Sequence, residues 1–430
     1  MAQSKQRKEI AVIGGGAKAA ALAAKASALR QARKGDEVGV TIFEKQEVGA
    51  HWTGNSGYTD GVQRLCTPAE RDVGFPYASK GGEQVDALMH SQFSWQSHLL
   101  SQPHEYSRWV DHGTRPPMHR DFARYLSWVV QRSSAVLVFE EVTKLRPTSG
   151  KWLVESKKRG GRPSVHPTEF DGVVVSSPGP ARRLPMTGKS LWRLDGDDFW
   201  RRLDQVSTLL AEPDLSDPIA IVGAGGTAAA ILAWLCRNGF KDRQIVMVAN
   251  QAALFTRGDS VFENRLFSDE EAWKTLSKES REQFFNRLNR GVVWGTVMDE
   301  VSSATGLTFV DGRATSVKAD RKGRLQVTVS RGDGVSIDLR PALLVDASGF
   351  DNWWFLDIVE GISATKRNDR KFLEALRDGM GPDLGFSRPW KLPRLHAPAH
   401  SSVLGPGYGS LMSLGGMSDL ILSRYTNRPE

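Results

Sequence analysis

Two stretches decide how this chain folds: Ile10-Ala11-Val12-Ile13-Gly14-Gly15-Gly16-Ala17-Lys18-Ala19 and Ile219-Ala220-Ile221-Val222-Gly223-Ala224-Gly225-Gly226-Thr227-Ala228. Each opens with a short, mostly β-branched apolar run, as a strand buried on both faces requires. Glycines follow, then an alanine-rich helical segment, then a second apolar run at Val38–Phe43 or Gln244–Val248. Each stretch therefore reads as a βαβ unit. In such a unit the first glycine makes the turn and the second lets backbone approach a pyrophosphate. A third small residue lets the helix pack on the strand. The triplets are Gly14/Gly16/Ala19 and Gly223/Gly225/Ala228, with Gly226 and Thr227 completing the second loop. One match would be weak. Two, each following a strand and opening a helix, predict two dinucleotide sites whose phosphates meet free N–H groups at a helix start.

The tips of the second strands divide the labour. Glu44, with Lys45 beside it, ends the first unit's second strand, where an acid accepts from a ribose hydroxyl pair. FAD, with its unphosphorylated adenosine ribose, suits that end. Asn250 holds the equivalent place in the second unit and would not repel a 2′-phosphate. Arg257 lies near in sequence to supply countercharge, so NADPH is expected there. A flavin and a nicotinamide together permit disulfide reduction, oxidase chemistry or oxygen insertion.

The two cysteines, Cys66 and Cys236, are far apart, which removes the redox pair that disulfide reduction needs and also a zinc ribbon. So few cysteines fit a reducing cytoplasm. A length of 430 residues exceeds what one core serves, so at least two domains are expected. The net charge of +8 is scattered, without the basic stripe and aromatic interleaving of a nucleic-acid binder. The polar start lacks a signal-peptide core, and no apolar run reaches about 18 residues, so no membrane span is expected.

Thr143–Val154 and Glu169–Val175 read as strands around an exposed turn at Lys157–Pro167. Leu307–Val310, Ala314–Lys318 and Leu325–Val329 read as a meander ending in the strand Ala342–Asp346. Glu212–Pro218 reads as a linker. The expected fold class is α/β, with two Rossmann-like dinucleotide-binding domains and a small substrate region at their junction. The FAD domain is placed at 7–212 and 307–430, and the NADPH domain at 213–306.

Eight further elements occur in order: Gly16–Ala19, Val48–Trp52, Asp72–Tyr77, Phe93–Ser97, Leu254–Gly258, Phe262–Ser268, Asp346–Phe350 and Met417–Ser423. Together they resemble the microbial N-hydroxylating flavin monooxygenases of siderophore biosynthesis, and among these the mycobactin-type lysine N6-hydroxylases. The resemblance implies that NADPH reduces the flavin and that a C4a-hydroperoxyflavin passes oxygen to the neutral side-chain amine of L-lysine. Ornithine or a diamine such as cadaverine is the nearest alternative substrate, and carbon or sulfur oxygenation the next. It also implies Asn264, Asn289 and Ser423 around the substrate, with Arg71 where the family has a lysine that meets the substrate carboxylate. Trp52 and Gln63 are candidates to line the flavin ring. No metal and no catalytic triad is expected, since the flavin carries the hard chemistry. Relatives are often oligomeric, which leaves a homo-oligomer open. The pair Trp353-Trp354 is a candidate wall of the flavin site or of a subunit contact.

Overall fold

The computed structural model describes residues 7–32, 38–176, 178–256, 260–288 and 292–426. The first glycine motif lies where the sequence places it. β1 (Lys8–Ile13) runs into α1 (Ala17–Ala32), which returns to β2 (Val38–Phe43). β1 pairs in parallel with β2 on one side and with Gly172–Val175 on the other. With β3 (Val136–Val138), β4 (Gly172–Val175) and the late strand Arg394–His396 this makes a five-stranded parallel sheet, in the order 394–396, β4, β1, β2, β3. Helix α1 is buried along nearly its whole length, from Ala17 to Leu29. Its alanines let it sit close to the sheet and to the C-terminal helix Leu414–Ser423. The one cation sealed in that helix, Lys25, meets Asp419 of the C-terminal helix at 3.2 Å, and Ser79 donates to the same carboxylate at 2.7 Å. Such a pair fixes register more than it adds stability.

The second motif builds a second parallel sheet from β5 (Arg193–Asp195), β6 (Ile219–Val222), β7 (Ile245–Ala249), β8 (Leu307–Asp311) and β9 (Leu343–Asp346), in the order β8, β7, β6, β9, β5. Helix α2 (Gly226–Arg237) follows β6. Leu307–Val310, expected in the meander, is instead the parallel edge strand of this sheet and pairs with Ile245–Ala249. The antiparallel meander consists of Arg313–Ala319, Leu325–Ser330 and Ser336–Leu339. It packs on the second sheet: Val317, Val327 and Val329 share a core with Ala220, Val222 and Leu344. This sheet therefore draws on strands from both sides of the 213–306 interval. Among the described residues no helix is long and apolar enough to cross a membrane.

One buried histidine pins the edge of the first sheet. His396 is fully buried; its Nδ1–H donates to the Asp383 carbonyl at 2.7 Å, and its Nε2 lies 2.6 Å from the Tyr425 hydroxyl. Burial pushes its pKa down to about 4. A histidine held neutral contributes stability that is present above its unfolded pKa, about 6.5, and is lost as the pH falls through about 4. The shift of about 2.5 units corresponds to about 3 kcal/mol at most. Urea unfolding at pH 7 and pH 4 should register this loss, and His396→Asn, less stable overall, should have a shallower acid limb. An equally steep limb in the variant would remove His396 from the account.

Candidate active site

The two glycine loops face one cavity of about 1270 Å³, larger than the roughly 300–1,000 Å³ that holds one small ligand. Gly14 to Lys18 form one wall, and Gly226, Thr227, Ala229 and Ala230 form another. At the first loop Gly14 has φ +98°, and a Cβ built on Gly16 would meet no atom within 4 Å. Gly16 therefore presents bare backbone to the cavity at the start of α1. Ala19 and Ala228 are fully buried, as the third positions that bring helix onto strand. At the second loop Gly223 has φ +114°, and a Cβ there would lie 2.4 Å from the Ala347 carbonyl oxygen. Gly225 and Gly226 face open space.

Glu44 is buried at the tip of β2. Its carboxylate accepts from the Gly15 N–H at 2.7 Å and the Gln46 N–H at 2.9 Å, which holds it beside the phosphate loop. Lys45 lines the same wall. The loop from 49 to 64 supplies the middle of the cavity. Trp52 packs edge-on against Phe122, and His51 stacks on Tyr58 with ring centroids 4.0 Å apart. Burial, helped by the Lys45 charge, lowers the His51 pKa to about 4, and burial does the same for His119. Both line the cavity as neutral rings. Gln63 is buried, and its Oε1 has no hydrogen-bond partner. The Trp354 indole Nε1, also on the cavity wall, is in the same position. An orphaned buried acceptor and donor, open backbone at two helix starts and an acid at a strand tip fit a dinucleotide flavin on one loop and a nicotinamide dinucleotide on the other.

An ion pair ties the 49–64 loop to the second nucleotide unit. Arg237, at the end of α2, reaches Asp60 at 2.6 Å and Glu300 at 2.7 Å. Arg71 stands at another junction. Its guanidinium donates to the Met412 carbonyl at 2.9 Å and to the Asn264 carbonyl at 3.2 Å, and it lies over the Phe75 ring. The structure thus brings Arg71 and Asn264 together, with the C-terminal segment next to Ser410 and Leu411 of the cavity wall. It does not bring Ser423 to them: that residue is exposed at the end of its helix, its hydroxyl donating to the Leu420 carbonyl at 2.9 Å. Arg257 and Asn289 lie outside the described residues. Lys18, Tyr58, His51 and Asp197, to which the sequence motifs give no role, also line the cavity. Trp354 does wall it, whereas Trp353 turns away to stack on His400.

Two parallel nucleotide-binding sheets opening on one cavity define a two-dinucleotide oxidoreductase. The model of the L-lysine 6-monooxygenase/L-ornithine 5-monooxygenase family matches residues 89–305. L-lysine N6-monooxygenase MbtG of Mycolicibacterium paratuberculosis is 34% identical, over 96% of this chain and 94% of that protein. MbtG of Mycobacterium tuberculosis is 33% identical over the same shares. Among solved structures, the lysine monooxygenase NbtG from Nocardia farcinica superposes with a TM-score of 0.79 at 29% identity, covering 96% of this chain and 99% of that one. The ornithine N-hydroxylase KtzI of Kutzneria sp. 744 shares the fold, with a TM-score of 0.69 at 18% identity over 98% of this chain and 99% of that one. The chain belongs to the L-lysine 6-monooxygenase/L-ornithine 5-monooxygenase family.

Proposed function

We propose that the protein is an FAD- and NADPH-dependent monooxygenase that hydroxylates the side-chain amine of L-lysine in the cytoplasm, for a hydroxamate siderophore. The observation that carries this reading is the single cavity shared by the two phosphate loops. The substrate assignment rests on relatives named for lysine across nearly the whole chain. When bound, FAD supplies redox chemistry with NADPH as reductant and activates molecular oxygen for transfer to the amine.

The chain's own residues bind, orient and exclude water. The N–H groups around Gly14 and Gly16 would hold the FAD diphosphate, with Glu44 and Lys45 at its adenosine end and Trp52 and Gln63 toward the ring. Gly223, Gly225, Gly226 and Thr227, with Arg257, would hold NADPH. Arg71 and Asn264, with Asn289 as the remaining candidate, would take the amino-acid end of lysine. The free amine has a pKa of about 10.4 and must lose its proton before it attacks. Apolar walls favour the neutral amine by denying its charge solvation; Val293, Val297 and Leu411 contribute such walls. The neutral His51 and His119 add no charge to them.

The test is NADPH oxidation by the FAD-loaded protein with lysine, ornithine and cadaverine, alongside direct detection of hydroxylamine. Product from lysine is the expected result. Product mainly from ornithine or cadaverine would keep the chemistry and overturn the substrate, and peroxide alone with all three would overturn the hydroxylase reading.

A further inference from the structure

Lys18 belongs to the first turn of α1 and lines the cavity at the first glycine loop. The arginines along that wall are engaged, and Lys45 is exposed to solvent at the tip of β2. Arg183 pairs with Asp195 at 2.6 Å and Asp198 at 3.0 Å, Arg201 approaches Asp197 and Asp198, and Arg64 donates to the Pro116 carbonyl. Glu44, the acid nearest in the loop, spends both carboxylate oxygens on backbone N–H groups. Among the described residues Lys18 has no ion-pair partner, and burial acts on it without an opposing carboxylate, lowering its pKa to about 8. An ammonium partly withdrawn from water and left without an anion is costly, and the fold places that cost beside backbone N–H groups arranged for a diphosphate. The orphaned Gln63 Oε1 and Trp354 Nε1 point independently to a polar ligand in the same cavity.

We propose that Lys18 is the countercharge for the diphosphate of the dinucleotide bound at the first glycine loop, a binding residue that complements the backbone N–H groups. This rests on the FAD reading above. In many loops of this kind backbone and helix dipole meet the phosphates alone; here one ammonium would add a charge-assisted bond. The residue contributes to retention of the cofactor and leaves the chemistry at the flavin ring to other groups.

The experiment compares the full-length protein with Lys18→Met and Lys18→Arg. It measures the FAD dissociation constant at several salt concentrations and the visible spectrum of bound flavin. Lys18→Met should weaken FAD at least about tenfold, the usual range for a bond to a charged group. It should flatten the salt dependence of binding and leave the flavin spectrum unchanged. Lys18→Arg should bind close to the wild type and keep its salt dependence. FAD affinity unaltered in Lys18→Met, or a shifted spectrum with unaltered affinity, would overturn the assignment while leaving the cofactor reading in place. If Lys18→Met does not fold, a Lys18→Arg variant whose binding ignores salt would overturn it equally. A wild type that fails to bind FAD would sink the cofactor reading itself, and this assignment with it.

Discussion

Gly16→Val is expected to yield a folded protein that no longer retains FAD, and Gly225→Val one that retains FAD but is no longer reduced by NADPH. A Cβ built at either position meets nothing in the protein within 4 Å, so a small side chain starts in open space and the fold is expected to tolerate it. The residual cost is that of a poor helix N-cap, about 1 kcal/mol. The same side chain would stand where a diphosphate must approach the helix start. Losing two charge-assisted bonds at about 1.5–3 kcal/mol each weakens binding by about two orders of magnitude or more. Flavin content after gel filtration reads the first variant, NADPH-driven bleaching of the flavin reads the second, and thermal unfolding confirms that both are folded. Gly223 would be a poor choice for this experiment. Its φ of +114° and the Ala347 carbonyl only 2.4 Å from a Cβ mean that any side chain there disturbs the fold itself. Native FAD affinity in Gly16→Val would mean that the diphosphate does not cross Gly16.

Both glycine motifs were legible in the sequence because everything they need is local: a buried strand, a turn that only glycine makes, and a small residue one helical turn on. What escaped was set by distant partners. Leu307–Val310 is half-buried, as an edge strand of a parallel sheet and a strand of an antiparallel meander both are; only its pairing with Ile245–Ala249 separates the two. Arg193–Asp195 is three residues long, too short for any period to show, and is a strand because Leu344–Asp346 lies beside it. The cavity wall has the same character. Tyr58, Trp354 and Leu411 come from segments scattered over some three hundred and fifty residues of chain, and no spacing in the sequence links them. Ser423 fails in the opposite way: a motif names the residue, whereas the helix decides which way it faces, and this one ends in solvent.

Arg71→Met is expected to raise the KM for lysine about ten- to a hundredfold, with NADPH oxidation continuing and the yield of hydroxylamine per NADPH falling. The magnitude is that of one charged hydrogen-bonding partner lost to a carboxylate. Arg71 has a structural duty too, since it joins the Met412 and Asn264 carbonyls across the junction. Removing it should lower stability by about 1–2 kcal/mol, because two carbonyls lose a donor. The two duties separate with cadaverine, which carries the same terminal amine and no carboxylate. If Arg71 meets the substrate carboxylate, the variant loses its preference for lysine over cadaverine while its use of cadaverine barely changes. If Arg71 only holds the junction together, both substrates suffer alike. Arg71→Lys keeps the charge on a shorter, non-planar group. It should recover most of the lysine preference and less of the stability, because one ammonium does not span two carbonyls as a guanidinium does. An Arg71→Met variant that loses stability while keeping the wild-type preference for lysine over cadaverine would reverse the assignment, making the residue a structural clasp and moving the carboxylate contact elsewhere.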